Sequence, residues 1–374
     1  MRQVGLILLD SVRFLRSSSL FWIALGLSAL TSILLFGLID FEPEGWRVLW
    51  FSTNESEILF EGSEAARSFV SWLFGGALMW WWLTWIAILV ALISTASVMP
   101  EFLSSGAIDL VLARPMSRAK LFLVKFTGSL LFMIAQATLA VALGYVLCGL
   151  RFGLWFHNAW LAVPLVAIQF FYLYAVMTLA AMITRSTLAS LLIALLFWGS
   201  VSVVQFASNQ LDSIVAQTQA QADRAADRAE RMRSRAAEEG RDLTPSEASR
   251  VEMWDDEADD HRSTLESIRP WERRIALIEL TVPKTGDIQK IIADRMHAPT
   301  FGELVFILQG GSSEMFAQMS GMQDPEMAAD IQASSIAGER AARSVNAASS
   351  LGSSLAFTGL VVAFATILFA RRDF

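Results

Sequence analysis

The residues of this chain that could carry out chemistry are few, and their spacing does not assemble them into a reaction centre. One cysteine, Cys148, permits no disulfide within the chain and no cysteine-based metal site. The histidines His157, His261 and His297 are too scattered for a paired-histidine metal motif. The lysines Lys120, Lys125, Lys284 and Lys290 follow Ala, Val, Pro and Gln, so none belongs to the Gly-Lys-Ser/Thr of a phosphate-cradling loop. No metal, redox group or nucleotide is expected as a cofactor of this chain. What remains is a set of uncharged polar side chains in apolar surroundings: Gln136, Gln169, Tyr172, Tyr174, Ser200, Ser202 and Gln205. Hydrogen bonding between helices is their default role, and the alternative is that Gln136, Gln169, Tyr172, Ser202 and Gln205 line a pathway for a cargo.

The elements that position them follow from composition. Of 374 residues 54% are hydrophobic and only 17% charged, against roughly a quarter charged in soluble proteins. Six stretches (17–39, 68–100, 126–150, 152–184, 186–211 and 344–370) contain no Asp, Glu, Lys or Arg. A bilayer core about 30 Å thick is crossed by about 20 apolar residues as helix, and only a helix satisfies its own backbone there. The expected fold class is therefore an all-α polytopic membrane protein with six transmembrane helices, near 20–39, 69–98, 126–147, 159–183, 187–208 and 351–370. No span carries a charge, which disfavours an ion pump or proton relay and favours a hydrophobic or amphipathic cargo, or mechanical output. The net charge of −7 disfavours a nucleic-acid binder, and no cleavable signal-peptide pattern precedes the first span.

Charge placement sets the orientation. With the N-terminus inside, the cytoplasmic pieces hold ten Lys and Arg against four acids, and the other side holds the remaining 19 against 32. The positive-inside rule then gives cytoplasmic N- and C-termini in the cell's inner (plasma) membrane. Residues 1–17 place Val4, Ile7, Leu8, Val12 and Leu15 at helical spacing, an amphipathic helix in the membrane interface. The second span contains Trp72, Trp80, Trp81, Trp82 and Trp85, four of them too central for an aromatic belt; they are expected to pack on neighbouring helices, the alternative being contact with an aromatic or lipidic cargo. Gly75 and Gly76 there permit a close approach or a bend.

The segment between spans two and three is too apolar for a free loop, with Ile108, Leu110, Val111 and Leu112 asking for a protein surface. Pro115 ends one short helix, and a second starts at Ser117. On Glu101, Gly106, the Ile108 to Leu112 stretch, Pro115, Ser117, Arg118 and Lys125, the chain resembles the permease subunits of ABC-2 type ATP-binding-cassette exporters, and among them the copper-enzyme maturation permeases. The resemblance covers the membrane part and not most of the long insertion. It implies that 99–119 is a coupling segment seated in a separate ATPase subunit, with Glu101, Gly106, Asp109, Leu112, Pro115 and Arg118 belonging to that element. It further implies that ATP and Mg are bound by that partner, and that a second permease subunit completes the transporter.

The remaining organisation is 18–208 for the first five spans, 209–346 for an extracytoplasmic helical insertion, and 347–374 for the sixth span and a short tail. Within the insertion Val215, Thr218, Ala222, Ala225, Ala229, Met232 and Ala236 recur at alternating spacings of three and four. Gly240 then caps the helix, and Thr244-Pro-Ser-Glu247 reads as a capping box opening a second helix. An antiparallel hairpin over about 213–268 follows, with a further amphipathic helix carrying Ile288, Ile291, Ile292 and Met296. The competing functional class is a membrane receptor or scaffold whose insertion binds a ligand or envelope protein.

Overall fold

The computed structural model describes residues 19–48, 52–103, 117–279, 282–296, 298–299, 301–308 and 347–371. The helix expected over 1–17, most of the coupling segment and the 309–346 stretch lie outside the described residues. Six helices are long and apolar enough to cross a membrane: Ser19–Gly37, Glu64–Phe102, Arg118–Phe152, His157–Thr184, Thr187–Glu238 and Ala347–Arg371. The chain forms two compact units, the first being Met1–Val203, Thr281–Pro299 and Val345–Phe374, the second Val204–Leu280 and Thr300–Ser344.

In the first unit α1 (Ser19–Gly37) leads into three strands, β1 (Ile39–Glu42), β2 (Gly45–Val48) and β3 (Ser52–Glu55). They pair antiparallel in the order β1-β2-β3, with Ile39 opposite Val48 and Gly45 opposite Glu55. This small sheet is an addition to an otherwise helical chain, which bears out the all-α expectation; four-residue strands leave almost no periodic signal. Arg47 pairs with Glu42 at 2.7 Å. Arg151 pairs with Asp40 at 2.8 Å and donates to the carbonyls of Phe36 and Gly37, supplying cationic donors to the unsatisfied C-terminal end of α1.

The second span is a composite. Ser63 caps α2 (Glu64–Trp72), accepting from the Ala66 N–H at 3.1 Å. A π-helix then covers Leu73–Ala87, and α3 (Ile88–Thr95) and α4 (Val98–Phe102) complete it. Next come α5 (Arg118–Phe152), a 3₁₀ turn at His157–Leu161 and α6 (Ala162–Thr184). Ser117 is the N-cap of α5, as its sequence position suggests, accepting from the Lys120 N–H at 3.4 Å.

Helix α7 (Thr187–Glu238) is a single helix of 52 residues. The sequence suggests a span ending near 208 and a new helix near 213, and the structure corrects this. Asn209, Gln210 and Asp212 are poor membrane residues but helix-compatible, and neither Gly nor Pro interrupts the turn. In the second unit α7 is followed by Gly240 at φ 66°, a left-handed position that favours glycine, and by α8 (Pro245–Glu279). The capping box is present: the Thr244 N–H donates to Glu247 at 2.9 Å and the Glu247 N–H to Thr244 Oγ1 at 3.4 Å. Of the seam on α7, Thr218, Ala222, Ala225, Ala229 and Ala236 are buried while Val215 and Met232 are half-buried; Val251, Ala258 and Leu265 of α8 are buried too, and Arg233 pairs with Asp255 between the two helices. Helix α8, however, runs through Pro270 instead of stopping at 268. Pro270 and Glu266 are both exposed, so the carbonyl that the proline deprives of its donor is not sealed in a core.

Helix α9 (Thr285–Met296) follows in the first unit, α10 (Phe301–Leu308) in the second, and α11 (Ala347–Arg371) closes the described chain. The amphipathic pattern of α9 is realised, since Ile288, Ile291, Ile292 and Met296 are all buried. Sequence alone groups this helix with the polar insertion, whereas it packs against the π-helix, α6 and α11.

Candidate functional site

The segment expected to couple, 99–119, begins in α4 and ends at the first residues of α5, so the surroundings of those two ends form the candidate site. Glu101 is exposed on α4, and Arg118, half-buried, is the first residue of α5. Gly106, Asp109, Leu112 and Pro115 lie outside the described residues. At the end of α4, Phe102 stacks on Phe369 with centroids 5.7 Å apart, and Phe369 meets Phe122 at 5.7 Å. Phe122 then stacks on Phe126 at 6.1 Å, Phe126 meets Tyr174 at 5.1 Å, and Tyr174 stacks on Phe170 at 5.3 Å. All six rings are buried.

This aromatic file links α4, α11, α5 and α6, beginning at Phe102, the last residue of α4. Sequence reading missed it because its members lie on four separate elements. Only the unusual number of phenylalanines, 25 in the chain, hinted at such a core. The file ends on a polar lock, Tyr174 OH and Ser129 Oγ at 2.7 Å.

The polar candidates are not brought to one place. Gln136, fully buried on α5, donates to Ser28 Oγ on α1 at 3.2 Å, and Ser32 on the same face of α1 donates to the Ala140 carbonyl at 3.2 Å. Gln169 on α6 donates instead to the Thr84 carbonyl of the π-helix at 3.2 Å. Tyr172 is fully buried, Gln205 buried and Ser202 half-buried on α7. For Gln136 and Gln169 the arrangement is helix-to-helix hydrogen bonding. Among the described residues the amide oxygen of each, the hydroxyl of Ser350 and the indole N–H of Trp82 are left without a partner.

The tryptophans of the second span serve packing and anchoring. Trp85 stacks on Trp198 of α7 at 5.0 Å, and Trp80 donates its indole N–H to Gln289 of α9. Gly75 provides the close approach its sequence suggests, since a Cβ there would stand 2.5 Å from that of Ala298. Asn158 holds the other end of α9 by donating to the Arg295 carbonyl at 2.8 Å, and the Lys284 N–H donates to Ser354 of α11 at 2.8 Å. A short amphipathic helix is thereby fixed among apolar ones at both its ends.

The molecule is thus a helical protein with, among the described residues, six helices of membrane-crossing length and composition. Comparison with protein-family models, with curated proteins and with solved structures finds no match.

Proposed function

We propose that the chain is a non-catalytic, membrane-spanning permease subunit of an ABC exporter. A separate ATPase subunit seats the 99–119 segment, and its ATP-driven closure moves that segment to shift a substrate or to do mechanical work across the membrane. Two permease subunits, identical or related, complete the transporter, with N- and C-termini cytoplasmic. The observation that carries this reading is the aromatic file starting at Phe102. A push on the coupling segment bears directly on Phe369 and from there on α5 and α6. Packed rings pass displacement between helices better than flexible aliphatic contacts, because interiors at crystal-like density respond to strain by moving neighbours.

The test is co-purification with the candidate ATPase, before and after replacement of residues 101–118 by a Gly-Ser linker of equal length. Loss of both ATPase binding and ATP-dependent activity is expected. Retention of both would sink the assignment.

A second reading, a membrane receptor or scaffold, draws on the hairpin. Between Pro245 and Ile268 there are eight acids against two arginines, a surface suited to a basic envelope protein or ligand. Deleting 213–268 separates the two: a receptor loses its function with the hairpin, whereas a permease keeps nucleotide-dependent ATPase coupling.

A further inference from the structure

The C-terminal ends of the second, fourth and sixth spans meet around a cleft of about 380 Å³, lined by Leu103, Met182, Ile183, Leu368, Phe369 and Arg371. That volume falls in the range of small-molecule sites, about 300–1,000 Å³. Among the described residues its walls are apolar except for one guanidinium at the end of α11, and Arg371 makes no ion pair among them. Ile183 is 66% exposed at the margin of the cleft, so the opening lies on a surface that an apolar span presents to lipid. Arg185 follows two residues later, exposed and in the left-handed conformation at the end of α6. The described part of this end also carries Arg118, Lys120 and Lys125, with Glu101 as its acid. An apolar slot leading to a guanidinium, in a basic collar, complements a molecule with a hydrocarbon tail and an anionic head.

We propose that this cleft seats an acyl chain of one anionic phospholipid, with Arg371 holding the phosphate and Arg185 adding to the local positive field. The hydrocarbon fills space between helix ends that the described side chains leave open. The guanidinium gives fork-shaped donors to phosphate oxygens, for which an ammonium is a poorer match. The anionic cytoplasmic leaflet is the membrane face such a collar favours. The site does not depend on the ATPase partner, so it stands or falls separately from the transporter assignment.

The experiment uses the purified full chain in nanodiscs of equal parts phosphatidylglycerol and phosphatidylcholine, with retained lipid counted by native mass spectrometry after mild delipidation. The wild type is expected to retain one phosphatidylglycerol per chain in preference to phosphatidylcholine. Arg371→Gln should reduce that retention about fivefold, the effect of one interfacial cation, and Arg371→Lys should restore only part of it. Ile183→Trp, which narrows the mouth from an exposed position, should lower retention of both lipids without lowering the melting temperature. Lys120→Gln removes a cation of the same end that does not line the cleft and should leave retention unchanged. The proposal is overturned if the wild type shows no preference, or if Lys120→Gln weakens retention as much as Arg371→Gln, which would mean diffuse surface charge. A photo-crosslinker at position 183 that labels protein instead of phosphatidylglycerol would also overturn it, because the cleft would then be a protein contact.

Discussion

In the first unit Phe122, Phe126, Phe170, Tyr174 and Phe369 are each at most 2% exposed, whereas the hairpin of the second unit closes over Ala222, Ala225, Ala229, Ala236 and Ala258. Both are helix-on-helix packings, yet one uses the largest side chains and the other nearly the smallest. The difference follows from the work each contact must do. Between apolar helices in lipid there is no hydrophobic gain from association, so cohesion comes from van der Waals area and a few hydrogen bonds such as Tyr174 to Ser129. Broad rings supply that area. The hairpin carries charge along both arms, Asp223 to Glu238 on α7 and Glu247 to Glu266 on α8, and an alanine seam brings the helix axes together while leaving those faces outside. Its stability rests on many small terms, including the cap and the charge pairs at its turn.

The comparison is sharpened most by Phe369→Ala. A buried ring contacting both Phe102 and Phe122 leaves a cavity costing about 3–5 kcal/mol, read as lower thermal stability of the purified protein. Under the permease reading it also uncouples: ATPase binding persists while ATP-dependent activity falls. Protease cleavage within the hairpin should not change, and if it did, the two packings would not be independent.

Next in size is Ala229→Leu. Ala229 is fully buried in the seam, and overpacking of this kind costs about 1–3 kcal/mol. A disulfide engineered between positions 233 and 255, which are paired in the native hairpin, should form less efficiently in this variant. Equal efficiency would show that the seam is loose enough to absorb the added carbons.

The smallest expected effect is at the turn. Hydrogen bonding from Arg241, then from the backbone and hydroxyl of Thr244, pushes the Glu247 carboxyl down to about 2, and the same contacts hold the Arg241 guanidinium more firmly protonated. A lowered carboxylate stabilises the fold above its ordinary value of 4.5 and loses that contribution as pH falls toward about 2. Hairpin helicity followed by circular dichroism should therefore be flat from pH 7 to 5 and decline slightly below. Glu247→Gln should remove the decline. A midpoint near 4.5 for the Glu247 carboxyl in an NMR titration would contradict the turn geometry.

Much of this was legible in the residues and some of it was not, for physical reasons. Charge-free runs declare spans, because lipid penalises every alternative, and Ser117, Gly240 and the Thr244 to Glu247 box declare helix ends, because unsatisfied backbone groups need partners. The continuity of α7 through Asn209 was hidden, since a polarity change marks a change of solvent and not a change of backbone. The placement of α9 was hidden too: its apolar face is plain in Ile288, Ile291, Ile292 and Met296, but nothing local says which surface receives it. The aromatic file is a property of four elements together. Of the residues expected to couple, Glu101 and Arg118 are described, and the file begins one residue after Glu101, at Phe102.

The π-helix at Leu73–Ala87 has a consequence for how the chain tolerates changes of length. Its hydrogen bonds close over one residue more than those of its α-helical neighbours, so removing a single residue there converts a wide turn into an ordinary one and leaves the backbone bonded. The same deletion in α5 between Phe126 and Gln136 would swing everything beyond it by about 100°, turning Gln136 away from Ser28 and Ala140 away from Ser32. Within the first unit the tryptophan-rich span is thus the place where a residue can be lost at least cost to register, and α5 is the helix whose count is fixed.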